Sequence, residues 1–148
     1  MKRFGAKKIT VTDDLNKLAE KEMAGLPILF AYIFGSAVSG DIHEESDIDI
    51  ALFLDPNASK QTQFDARLIA HEIIGKIFDV PTEALDISVL NQAPLALRMA
   101  VISEGIVLAE KEHGERVKFE MAVLREYDDQ KDFLKLYNQS FLNNLTAS

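Results

Sequence analysis

The chain has 148 residues, 47% hydrophobic and 27% charged, the size and make-up of one globular domain with a real core. A net charge of −8 argues against general affinity for nucleic acid, where Lys and Arg must neutralise phosphates, and suits metal binding or a basic partner. The absence of cysteine excludes disulfides, thiolate zinc sites and thiol nucleophiles.

Lys2, Arg3, Lys7 and Lys8 open the chain without the apolar run of a signal peptide. No stretch approaches the roughly 18 consecutive apolar residues of a membrane span, so a cytoplasmic protein is expected. From Thr12, capping and acidic first-turn residues followed by Leu15, Leu18 and Met23 predict a short helix stopped by Gly25 and Pro27. Ile28 to Phe34 reads as a strand ended by Gly35, and Ser36 begins a brief helical turn closed by Gly40 and Asp41. Asp47 to Leu54 is a second strand, broken by Asp55-Pro56-Asn57. Gln61 to Phe78 carries Phe64, Leu68, Ile69, Ile73 and Ile77 at helical spacing, which predicts a helix packed on a sheet through that face. Leu85 to Leu90 is a third strand. Pro94 opens a helix that Gly105 ends, and Ile106 to Leu108 is a short edge piece. The remainder is mostly helical, with apolar positions at Leu124, Tyr127, Leu134, Tyr137, Phe141 and Leu145 that favour core packing over a docking surface.

The chemistry concentrates between Gly35 and Asp49. Strand alternation sends Asp47 and Asp49 to one face, about 7 Å apart along the backbone, while Ile48, Ile50 and Leu52 anchor the other. Carboxylates clustered this way repel unless a cation lies between them, and hard oxygen donors suit a divalent metal. Alone, an Asp-x-Asp pair reads first as a solvated strand edge. Ten residues upstream, however, Gly35 permits a sharp turn and close approach to a ligand, and Ser36 offers a hydroxyl and helix-start N–H groups to a phosphate. The third strand adds Asp86, opposite in direction to Leu85, Ile87 and Val89. If that strand pairs beside Asp47–Asp49, Asp86 completes a carboxylate triad; otherwise it is a polar residue on a half-exposed strand.

This pattern of Gly-Ser, ten residues, Asp-x-Asp, helix and a strand with a further Asp resembles the nucleotidyltransferase superfamily of DNA polymerase β. The short length is similar to its minimal nucleotidyltransferase branch, the MNT antitoxins paired with HEPN-type toxins. The likeness covers roughly residues 26–110, includes Ser46 in Ser-Asp-x-Asp and extends through Leu90-Asn91-Gln92-Ala93-Pro94, with no departure at a signature position. It implies an α/β (α+β) fold, a small mixed β-sheet covered by helices, in a single domain over 1–148 with a C-terminal helical segment at about 112–145. It also implies Asp47, Asp49 and Asp86 as catalytic and metal-binding residues, with Gly35, Ser36 and Ser46 binding the nucleotide. The implied reaction moves AMP from ATP to a hydroxyl with Mg2+, as two ions, and in MNT antitoxins the acceptor is a toxin tyrosine.

Alternatives stand beside this. Drug-modifying relatives that adenylylate small molecules such as aminoglycosides usually carry a further helical domain, whereas 38 of the 148 residues remain here after residue 110. A non-catalytic antitoxin that only binds has no need of three converging carboxylates. His43, His71 and His113 lack metal-ligand spacing, and Asp41, Glu44 and Glu45 read as a solvated loop. Lys60, Arg67 and Arg98 are available cations of which none is singled out. Tyr32, Tyr127 and Tyr137 fit packing better than self-modification. The last helix is open to pairing with a second copy, covering the core or holding the partner.

Overall fold

The computed structural model describes residues 9–39 and 47–146. Its first helix, α1 (Asp13–Met23), is capped by Thr12, whose hydroxyl accepts from the Leu15 N–H at 3.2 Å. Strand β1 (Ile28–Phe34) leads into the four-residue α2 (Ser36–Ser39), and β2 covers Ile48–Leu54. Ser59 caps α3 (Lys60–Phe78), and a 3-10 turn at Thr82–Ala84 feeds β3 (Leu85–Val89). Then follow α4 (Leu95–Glu104), β4 (Ile106–Glu110) and α5 (His113–Thr146). Ser46, Gly40, Asp41, His43, Glu44 and Glu45 lie outside the described residues.

Among the described residues the strands form one mixed sheet in the order β3-β2-β1-β4. Neighbours β1–β2 and β1–β4 run antiparallel, and β2–β3 runs parallel with α3 as the crossover. Strand alternation divides the core in two. On one face Ile33, Ile48, Ile50, Leu52 and Ile87 pack with α1 and α3. On the other, Phe30, Tyr32 and Ala51 meet Val101 of α4 and Phe119 of α5. The Phe30 and Phe53 rings stack at 4.8 Å, and Phe119 lies 5.4 and 5.2 Å from them.

Two expectations about helix faces need correcting. Of the apolar residues assigned to the sheet-facing side of α3, only Ile73 and Ile77 pack there, while Phe64, Leu68 and Ile69 are exposed. The seam is Ala66, Ala70 and Ile74, because small side chains let the helix lie close to the sheet. On α5, Leu124 and Tyr127 are exposed instead of core, and Val123 is buried. A helix of 34 residues is roughly 51 Å long and outruns the sheet, so only its early turns reach the core. The side chains of Leu134, Tyr137, Phe141 and Leu145 lie outside the described set.

Tyr32 is buried, and its hydroxyl donates to Glu120 Oε1 at 2.5 Å. Arg116 braces Glu120 at 2.8 Å and also bonds Glu110, tying β1, β4 and α5 together. Burial, and then the facing Glu120 carboxylate, raise the Tyr32 pKa beyond the ordinary phenol range. This tyrosine is part of the core rather than an acceptor. Tyr32→Phe is expected to cost about 1–3 kcal/mol in a denaturant titration and to leave nucleotidyl transfer unchanged. Loss of transfer in a folded variant would reverse that assignment.

Candidate functional site

The crossover that makes β2 and β3 parallel brings the carboxylates together. Asp49 pairs in register with Asp86 across β2–β3, and with Phe34 across β2–β1. The condition set on Asp86 by the sequence is thus met: its strand lies beside that of Asp49. Ile48 and Ile50 are fully buried on the opposite face and fix the strand's orientation. Asp47 directly precedes β2; it and Asp86 are exposed, while Asp49 is half-buried.

Gly35 closes the site from the end of β1. It has φ +77°, in the left-handed region, and a Cβ built on it would overlap Asp49 Oδ2. The glycine therefore serves two needs at once, a turn into α2 and a backbone pressed against the inner carboxylate. Ser36 then starts α2, and the Val38 N–H bonds back to Gly35 O at 3.2 Å.

Asp49 carries the electrostatic signature. Burial, then the Asp86 charge and then the Asp47 charge push its pKa up from an ordinary 3.8 to about 6. The folded, metal-free protein thus holds that proton more tightly than the unfolded chain. Its carboxylate does not weaken the fold below about pH 4, and weakens it increasingly as pH rises through 6. In EDTA, Asp49→Asn is expected to melt at a higher temperature than wild type at pH 8, with the gap closing toward pH 4.5. An equal gap at both pH values would show that charge repulsion is not its source.

Among the described residues, no three His, Asp or Glu side chains are gathered closely enough to hold a metal ion as they stand. The donor set still suits one in kind: hard carboxylate oxygens, with Asp49 raised by burial and then by the negative charges of its neighbours.

Four of the remaining polar candidates, Arg98, His71, His113 and Arg67, have structural partners. Arg98 donates from Nε to Ala93 O at 3.0 Å and pairs with Glu126 at 2.8 Å, locking α4 to α5. His71 Nε2 meets Thr82 O at 2.7 Å, and His113 Nδ1 meets Glu110 at 3.1 Å. Arg67 Nη2 donates to Ile87 O at 3.0 Å. Asn91, which the sequence marks only as part of the Leu90–Pro94 segment, has an amide that exchanges hydrogen bonds with Leu54 N–H and C=O at 2.9 and 2.8 Å, as a further strand residue would. An Asn directly after a strand was the available signal.

Asp49 and Asp86 face each other on parallel strands, with a left-handed glycine against the inner one. Residues 14–114 match the family model described as "Polymerase beta, Nucleotidyltransferase", and the chain belongs to that family of nucleotidyltransferases. It is 31% identical over 121 residues to the protein adenylyltransferase MntA of Aphanizomenon flos-aquae (strain 2012/KM1/D3), covering 79% of this chain and 81% of that one. The fold is shared with a crystal structure of a toxin–antitoxin with AMP-PNP, at TM-score 0.56 and 20% identity over 88% of this chain and 94% of the other. It is also shared with a tri-AMPylated Shewanella oneidensis HEPN toxin in complex with an MNT antitoxin, at TM-score 0.51 and 18% identity over 88% and 98%. Among the described residues, no helix is long and apolar enough to cross a membrane.

Proposed function

We propose that this nucleotidyltransferase moves AMP from ATP to a tyrosine hydroxyl of a HEPN-type toxin partner, acting as the antitoxin of a cytoplasmic pair. The observation that carries the reading is the Asp49–Asp86 register with Gly35 packed against Asp49. The similarity to a protein adenylyltransferase supports the donor and the kind of acceptor, and the fold neighbours support the partner class.

In this reading Asp47, Asp49 and Asp86 hold Mg2+ as two ions, which supply charge neutralisation at the triphosphate and at the attacking oxygen. Gly35 lets the backbone approach the triphosphate closely, and Ser36 adds a hydroxyl contact to its oxygens. Asp86, on the exposed side of the pair, accepts the proton of the attacking hydroxyl. The new bond joins that oxygen to the α-phosphorus. The bond to the bridging oxygen breaks, and pyrophosphate leaves. Residues 26–110 carry this chemistry, and the segment from about 112 to 145 completes the same single domain.

Purified protein, ATP and magnesium are to be incubated with a co-encoded HEPN-type toxin. A label on the α-phosphate should appear on a toxin tyrosine, and a label on the γ-phosphate should not. Transfer of the γ-label would mean a kinase, and no transfer of either label would leave the antitoxin reading without its chemistry.

A further inference from the structure

We propose that a groove between the start of α3 and the β3–α4 turn is a second ligand site, shaped for a nucleoside monophosphate. It encloses about 650 Å3, within the range of small-molecule sites, and is lined by Phe53, Pro56, Lys60, Phe64, Arg67 and Gln92 among others. The groove opens where β2 and β3 end, whereas Asp49 and Asp86 lie where they begin. Leu54 of the groove wall lies five positions beyond Asp49, roughly 16 Å at strand rise. The two places are therefore distinct.

Three features select the ligand. Phe64 stands 56% exposed on α3 and offers its ring face, while Phe53, packed on Phe30 and Phe119, adds apolar wall. Both ionisable residues lining the groove, Lys60 and Arg67, are cations, in a chain of net charge −8. Arg67 is held in direction by its bond to Ile87 O, and the first turn of α3 carries no acid. Two cations match a phosphate monoester of charge about −2 better than a single carboxylate. The exposed Gln92 amide at the rim matches the hydrogen-bonding edge of a heterocycle, which an alkyl phosphate lacks.

The site does not depend on the transfer reaction, so the test removes the carboxylates. AMP is titrated in EDTA into full-length Asp47→Asn/Asp49→Asn protein, followed by amide chemical shifts. Saturable binding is expected, with shifts centred on residues of the groove. Adding Lys60→Glu or Phe64→Ala, both at exposed positions, should weaken it at least about ten-fold with the melting curve retained. Adenosine and inorganic phosphate should each bind more weakly than AMP. The proposal is overturned if AMP does not saturate, if neither added substitution weakens it, or if phosphate alone binds as tightly.

Discussion

Asp47→Asn combined with Asp49→Asn is expected to abolish transfer of the α-label from ATP to the partner, a loss of at least about a thousand-fold. The physical ground is that both changes remove negative charge beside Asp86, where burial and then the neighbouring carboxylates raise Asp49 to about 6. The amides keep the shape of the side chains but lose most of their attraction for a divalent cation. Because the like charges are relieved, the folded state should not suffer, so lost activity cannot be assigned to unfolding. The same variant separates enzyme from binder. If toxin neutralisation survives while labelling vanishes, the protein acts by occupying its partner.

Gly35→Ala is expected to cost about 1–2 kcal/mol of stability and roughly a hundred-fold or more in transfer. The stability loss follows from a side chain at φ +77°. The larger effect on activity has a separate cause: the new Cβ would occupy the space of Asp49 Oδ2, so the inner carboxylate must move. Displacements near 1 Å at a reacting centre cost about that factor. Gly25→Ala is the control, since nothing lies within 4 Å of a Cβ there, and it should be silent in the transfer assay. If Gly35→Ala transfers as fast as wild type, the glycine is only a turn and the carboxylate does not need its present position.

Much of this was legible from residues near one another in sequence. β1 spans Ile28–Phe34, as its apolar run between Pro27 and Gly35 requires. Capping by Thr12 and termination at Gly105 follow from local chemistry that a single chain displays. The alternation about Ile48 and Ile50 fixed which side of β2 Asp49 occupies before any neighbour was known. What a single sequence does not display is which strands lie side by side. The Asp49–Asp86 pairing depends on α3 crossing over to make β3 parallel to β2, 37 residues further on, and the condition on Asp86 could only be stated. The contact between Gly35 and Asp49 is non-local in the same way.

The misreading of α3 has a specific cause. Side-chain size alone points Phe64 and Leu68 inward on α3, whereas Ala66 and Ala70 are the buried residues. Close helix–sheet packing selects small residues at the seam, and the large ones are left at its flanks. That error also concealed the groove, whose walls come from the start of α3 and from the chain after β2 and β3. Arg98, one of three cations available to a phosphate, is instead engaged by Ala93 and Glu126.

The most direct measurement is the rate of α-label transfer by Asp86→Asn alone, set beside Asp47→Asn/Asp49→Asn and the variant carrying all three changes. Residues that act as one unit are not additive. Asp86→Asn should by itself fall to about the level of the double variant, and the triple variant should fall no further. Transfer by Asp86→Asn at the wild-type rate would contradict the placement of the three carboxylates in one site.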